Sequence, residues 1–358
     1  MTSPVKPAGS RAESLRGSGL YRVAIVGAST LKGKEVAEVL NDRNFPALDI
    51  KLLDDDEALG QLENVGDEVT FIQKARAEEF RNMDFTFFAS DPGSAGRMAK
   101  LAQDAGSTIV DLSFGLEGAP GAVVRSPWIE RQRGQAVIPQ LQPGPAVIAH
   151  PAAVVLAMLL LRIQKSAAVR RAVAIAFEPA SEHGQKGMDE LHEQTVNLLS
   201  FQQLPKAIFD TQVAFNMVAR YGERSAPPLS QVESRVQRHY HLIAGDDAPT
   251  PSILLLQAPI FHGHAFALNI EIDQPADIEK ISQALSGEHV NVTHGAEDAP
   301  TNVNAAGQAN IQVSITADAG HPSAFWVWAA SDNLRIAAST AVECAETMTS
   351  ARPRGKIQ

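Results

Sequence analysis

The sequence predicts two tandem units: a doubly wound, parallel α/β domain followed by an α+β domain with an open sheet. Three observations predict this. Short apolar strands alternate with helices up to about residue 150. After Pro151 the pattern changes to strand-like runs separated by single helices. The length of 358 residues is about two domains' worth at roughly 100–200 residues each.

The first unit opens with the strand Tyr21–Val26, which runs into Gly27-Ala28-Ser29-Thr30-Leu31-Lys32-Gly33. A helix follows with Val36, Val39 and Leu40 on one face. Residues 50–53 form a second strand ending in the acidic turn Asp54-Asp55-Asp56-Glu57. Residues 85–89 form a third, a helix follows at about 94–105, and Thr108–Asp111 is a fourth. The second unit starts with a helix over 152–165 and a strand over 172–177. The helix 187–199 carries Met188, Leu191, Thr195 and Leu198 on one face. Strands at 266–272 and 310–315 follow, and a final helix runs over 332–348. The boundaries are a flexible tail at 1–20, a dinucleotide-binding-type domain at 21–150 completed by helix 332–350, and a second domain at 151–331. Residues 351–356 read as another tail.

Bulk properties exclude several classes. A formal net charge of −10 argues against sequence-independent nucleic-acid binding, which needs a basic footprint. The single cysteine, Cys344, excludes a disulfide framework and fits a reducing cytoplasm. The longest apolar run, residues 152–161, is too short to span a bilayer, and the N-terminal tail lacks the apolar region of a secretory signal. Cys344, between Val342 and Ala345, reads as a small buried hydrophobe rather than a nucleophile. If extended, His239-x-His241 and His262-x-His264 each place two imidazoles on one strand face, spacing that permits a metal. No acidic or cysteine partner is fixed beside them, so no metal site is expected.

Four runs resemble the aspartate-semialdehyde dehydrogenase family, in the family's order: Gly184-Gln185-Lys186-Gly187-Met188-Asp189-Glu190-Leu191, then Gln212-Val213-Ala214-Phe215-Asn216, then Phe261-His262-Gly263-His264, then Ser331-Asp332-Asn333-Leu334-Arg335. The resemblance covers about residues 21–350. It implies a homodimer and a reductive dephosphorylation of aspartyl phosphate by NADPH, with a cysteine nucleophile and a histidine acid/base.

Carried over position by position, the resemblance marks repeated departures. The cysteine motif falls on Ala149-His150-Pro151-Ala152-Ala153-Val154-Val155, so Ala153 stands at the nucleophile's place and only Pro151 remains. His264 is retained as the acid/base remnant. Gln257 stands for the arginine that pairs with the substrate carboxylate, a clamp a neutral amide cannot replace. Glu178 stands for the glutamine that orients substrate, and Glu117 for a phosphate-binding arginine, where a carboxylate would repel phosphate. Where the family has a substrate-binding Glu and Lys, within residues 233–242, this chain has Arg238 and His241.

On the cofactor side the implied residues are Gly27, Ser29, Thr30, Gly33, Ala89, Ser90 and Asn333. Thr30 replaces the middle glycine of the loop, although Lys32 adds positive charge to the helix start. The turn 54–57 should exclude a 2′-phosphate yet accept a ribose hydroxyl, which favours NAD over NADP if a cofactor binds at all.

Two readings follow. The leading one is a cytoplasmic, homodimeric pseudoenzyme that binds a small-molecule or protein ligand, with no nucleic-acid or membrane partner. The rival is an active NAD-dependent oxidoreductase on an altered aldehyde or acyl substrate, using His264 with Glu178, or a Glu178–His183–His264 cluster.

Overall fold

The computed structural model describes residues 20–54, 60–65, 68–135, 144–295, 299–349 and 351. Asp55, Asp56 and Glu57 of the acidic turn lie outside the described residues, as do the expected tails apart from residues 20 and 351.

The first domain runs β1 (Tyr21–Val26), α1 (Leu31–Asp42), β2 (Ala47–Asp54), β3 (Leu62–Val65), β4 (Glu68–Phe71), β5 (Gln73–Lys74), β6 (Phe85–Phe88), α2 (Pro92–Asp104), β7 (Thr108–Asp111), β8 (Val123–Arg125), α3 (Pro127–Gln132) and β9 (Ala146–Ile148). Seven of these strands form one sheet in the order β5-β2-β1-β6-β7-β9-β8, every pair parallel. β3 and β4 form a separate hairpin. The central strands read as continuous apolar runs because both sheet faces are covered. Ile25, Val36, Leu40 and Phe85 build one core, and Ala24, Phe88, Ala95 and Ala99 the opposite one.

The chain winds outward in opposite directions from β1 and β6, which opens a crevice at their carboxyl ends, the usual ligand position in such sheets. Gly27 follows β1 there with φ of 83°, and a Cβ on it would lie 2.4 Å from the Ser90 amide nitrogen.

The second domain runs α4 (Pro151–Ser166), β10 (Val169–Glu178), α5 (Gly184–Leu199), α6 (Leu229–Ala244), β11 (Ser252–Gln257), β12 (His264–Ile272), α7 (Ile278–Leu285), β13 (Val290–Val292), α8 (Asn302–Ala305), β14 (Ile311–Ala317) and β15 (Ala324–Ser331). Its six-stranded mixed sheet has the order β11-β10-β12-β15-β14-β13. α4 is buried along its length from Pro151 to Ile163, as expected of a helix that is apolar all round. It packs with α6 and α7 on one face of the sheet. The opposite face leaves Leu254, Trp326 and Trp328 between 38% and 45% exposed. The final helix, α9 (Asn333–Thr349), returns to pack on α1, where the Arg335 guanidinium bonds Glu35, Glu38 and Asp42. Among the described residues no helix is long and apolar enough to cross a membrane.

The two histidine pairs do not form strand faces. Residues 229–244 are helical, because Leu229, Val232, Val236 and Ile243 recur at helical spacing and are buried. Two residues apart on a helix point away from each other, so His239 is buried and His241 exposed. β12 begins only at His264, after Gly263 turns the chain with φ of 83°, and His262 pairs instead with Asp332 at 2.8 Å. Among the described residues, no group of three or more His, Cys, Asp or Glu is placed to hold a metal ion. Cys344 is fully buried in α9, where burial pushes its thiol up to about 12.

Candidate functional site

The glycine loop closes on itself. Thr30 caps α1: its hydroxyl accepts the Gly33 amide at 3.0 Å and lies 2.8 Å from the Gly27 carbonyl and 3.0 Å from that of Ala89. The Ser29 amide donates to Asp54 Oδ2 at 2.8 Å. Gly33 is needed for close helix–strand packing, since a Cβ there would meet the Gly27 oxygen at 2.1 Å. A pyrophosphate at a helix N-terminus requires exposed amides and no fixed anion beside them. With the Gly33 and Ser29 amides bonded within the protein, the second of them to Asp54, neither of these two is presented to a phosphate.

Nor does Lys32 face a phosphate position. Its ammonium lies 3.7 Å from Glu182 Oε2 and 4.8 Å from the Phe114 ring centroid. Glu182 sits in the 3₁₀ turn Ala180–His183 after β10, so this pair joins the two domains. Asn333, at the start of α9, donates to Glu182 Oε1 at 2.8 Å, and its own oxygen accepts from Ser181 Oγ and the Gly263 amide. Its carboxamide is thus committed to protein partners.

At the end of the second sheet, four polar side chains line up across adjacent strands. Glu178 pairs in register with Gln257, Phe177 with Ala265, and His264 with Ser331. This places Gln257, Glu178, His264 and Ser331 in a row on the sheet face that α4 covers, all at most 1% exposed. Gln257 is satisfied: its amide donates to the carbonyls of Glu178 and Ala258, and its oxygen accepts from Tyr221 at 2.7 Å. His183 joins Tyr221 at 2.9 Å. Both Glu178 oxygens, both His264 ring nitrogens and Ser331 Oγ find no hydrogen-bond partner among the described residues.

Burial, reinforced by the negative charge of Glu182, raises the Glu178 carboxyl well above its ordinary value and keeps it protonated. Burial also brings His264 down to about 4, and it pushes His150 well below the usual imidazole value. Burial opposes ionisation of Glu182 too, but Lys32 and the Asn333 amide outweigh it and hold that carboxyl low. The buried imidazoles are neutral at pH 7, so Lys32 is the charge that counts. A neutral acid beside a neutral imidazole can relay a proton, but neither is a ready nucleophile.

Ala153 is fully buried in the first turn of α4. The helix is capped by His150, whose Nδ1 accepts the Ala152 amide at 3.2 Å and whose ring centroid is 5.9 Å from that of His264. Next to it, the Asp111 carboxylate accepts the amides of Ser113 and Leu116, which shapes the loop after β7. That loop presents Phe114, with φ of 63°, to stack on His150, while Lys32 and Arg235 lie over its ring.

Glu117 does not stand alone as a repulsive carboxylate. It pairs with Arg235 at 2.6 Å and with Arg238, and lies 3.0 Å from His239 Nε2. Burial opposes its ionisation, yet these partners bring its carboxyl down to about 2. His239 Nδ1 accepts the His150 amide, which puts the ring proton on Nε2, facing Glu117. The sign of charge expected on the loop is therefore found on α6 instead. Arg238 was visible in sequence, while Arg235 was missed. The spacing from Arg235 to Arg238, one helical turn, was the available signal.

Comparisons with known proteins agree with this architecture. Residues 22–137 match the semialdehyde dehydrogenase NAD binding domain, and residues 160–336 the semialdehyde dehydrogenase dimerisation domain. The chain is 30% identical over 321 residues to a USG-1 protein homolog of Pseudomonas aeruginosa, covering 88% of this chain and 94% of that one. It is 27% identical to an aspartate-semialdehyde dehydrogenase of Rickettsia bellii, covering 92% and 97%. The solved structure of a probable aspartate-semialdehyde dehydrogenase from Pseudomonas aeruginosa superposes with a TM-score of 0.81 at 27% identity, covering 92% of this chain and 98% of that one. By both domain models, by identity along most of its length and by fold, the chain belongs to the semialdehyde dehydrogenase family.

Proposed function

We propose that this chain is a homodimeric member of the family without thiol-dependent dehydrogenase chemistry, acting in the cytoplasm as a binding or regulatory protein. One observation carries the reading: alanine, at position 153, stands where the family's nucleophilic cysteine is expected, and a methyl group cannot attack a carbonyl. Its surroundings support it. Gln257, Asn333 and Lys32 are bonded within the protein, Thr30 closes the glycine loop, and Glu117 has taken the opposite charge with its complement on α6. Two relatives bear a name that claims no dehydrogenase activity. The homodimer is supported by the dimerisation-domain match and the uncovered sheet face with Trp326 and Trp328. Purified protein given aspartate semialdehyde, phosphate and NADP or NAD is expected to turn over no faster than a heat-killed control. Turnover above that control would overturn the proposal.

A second reading rests on the five unpartnered buried polar atoms of Glu178, His264 and Ser331. An NAD-dependent oxidoreductase could use such a row to move a proton, once Thr30 and Asp54 release the loop. It requires saturable NADH binding by fluorescence titration, weakened by Asn333→Ala. Absence of binding at millimolar NADH removes it.

A further inference from the structure

The turn before β12 meets the start of α9 through a chain of hydrogen bonds that leads from the surface into the domain junction. His262 Nε2 lies 2.8 Å from Asp332 Oδ2, and its Nδ1 lies 3.2 Å from Ser181 Oγ. Ser181 Oγ donates to Asn333 Oδ1 at 3.2 Å, and Asn333 Nδ2 donates to Glu182 Oε1 at 2.8 Å. The His262 side chain is 26% exposed, whereas Ser181, Asp332 and Asn333 are buried. Solvent therefore reaches the chain at the imidazole.

The donors run in one direction. The Ser181 hydroxyl has a single proton, and it goes to Asn333. The ring nitrogen facing Ser181 is then a donor, and so is the nitrogen facing the Asp332 carboxylate, which makes His262 an imidazolium. Asp332 is held as an anion by the amides of Gly307 and Arg335 at 2.7 and 2.9 Å, the second of them in the first turn of α9. The other charged groups facing the ring are Glu35, paired with Arg335, and Glu182, paired with Lys32. His264, on its own strand, is neutral. Burial opposes protonation of His262, but the Asp332 hydrogen bond and these carboxylates outweigh it and raise the imidazole above its ordinary value. A raised imidazole contributes stability that is full below the ordinary value of 6.5 and fades as pH rises through the folded one.

We propose that His262 is a proton-operated latch on Asn333. Protonated, it leaves the Ser181 hydroxyl on the Asn333 oxygen and commits that side chain to the junction between the domains. Neutral, its Nδ1 becomes an acceptor, the Ser181 hydroxyl turns to it, and the Asn333 oxygen keeps only the Gly263 amide. Asn333 is the cofactor-side residue of the candidate site, so the latch loosens that carboxamide as pH rises. The inference does not depend on whether the cleft catalyses.

Nuclear magnetic resonance titration of the full-length protein, labelled with nitrogen-15, tests it. The His262 ring and Asn333 carboxamide resonances are assigned by their loss in His262→Gln and Asn333→Asp. The His262 midpoint is expected above 6.5, and the Asn333 carboxamide resonance is expected to move with that same midpoint. Ser181→Ala removes the acceptor of the Nδ1 proton and is expected to lower the midpoint by about one pH unit, as for a lost hydrogen bond to a charged group. An ion pair with Asp332 alone would leave the midpoint of that variant unchanged. Should Ser181→Ala not fold, the wild-type Asn333 resonance decides. The proposal is overturned by a His262 midpoint at or below 6.5, by an unchanged midpoint in Ser181→Ala, or by an Asn333 resonance that ignores the His262 titration.

Discussion

Replacing Lys32 with methionine is expected to destabilise the protein by about 3–5 kcal/mol at pH 7, the range for breaking a buried ion pair by removing one partner. The Glu182 side chain is 5% exposed and Lys32 is 16% exposed, so solvent cannot take over the lost charge. What remains beside the carboxylate is one amide hydrogen bond from Asn333 and neutral imidazoles. Removing both charges with Lys32→Met and Glu182→Gln should recover most of the loss, because a buried pair of neutral groups carries no uncompensated charge. The pH dependence has a definite sign. The Glu182 carboxyl is lowered in the folded state, so its stabilisation is present above the ordinary carboxylate range and fades as pH falls through and below it. The Lys32→Met deficit should therefore shrink on acidification. Urea unfolding of the three proteins at one protein concentration checks this. A single-variant cost under about 1 kcal/mol would show that the pair does not join the domains as described.

Glu178→Gln is expected to act in the opposite direction and stabilise the protein by about 1–3 kcal/mol at pH 8, because it removes the cost of keeping a buried carboxyl protonated, which is about 1.4 kcal/mol for each pH unit above the unfolded value until the raised folded value is reached. Glu178 is protonated in the folded state by burial, whereas the unfolded chain ionises it above about 4.3. A raised carboxyl contributes stability that is present below the unfolded value and is lost as pH rises towards the folded one. Glutamine has nothing to ionise, so its advantage over wild type should grow from pH 5 to pH 8. A variant that is less stable than wild type across that range would mean that Glu178 is ionised and held by something that compensates its charge.

Much of the fold was legible in residue pattern. Val36, Val39 and Leu40 announced the face of α1, and the unbroken apolar run after Pro151 announced the buried α4. The α6 helix was not read, because its two histidines suggested alternation although Leu229, Val232, Val236 and Ile243 kept helical spacing. The β3–β4 hairpin, β11, α7 and β15 also escaped, β15 because its apolar run with two tryptophans shows no clean alternation.

The site was legible only in separate halves. Glu178 and His264 could each be singled out, but their juxtaposition depends on the register of β10 against β12, which one strand's sequence does not carry. Likewise Glu117 read as a repulsive charge until α6 brought Arg235 and Arg238 to it. Lys32 looked like a phosphate ligand because its partner, Glu182, is supplied by the other domain. In each case the missing information was a long-range contact.

Installing the thiol tests most directly whether the cleft has left its family's chemistry. Ala153→Cys would place a sulfur in the first turn of α4, the helix that His150 caps, a position that favours a thiolate. If only the nucleophile were missing, this variant would turn over aspartate semialdehyde with phosphate and NADP or NAD. Because the loop, Gln257 and Glu117 have also changed, it is expected to stay at the level of a heat-killed control. Saturable turnover of the Ala153→Cys protein would contradict that and show an otherwise intact enzyme.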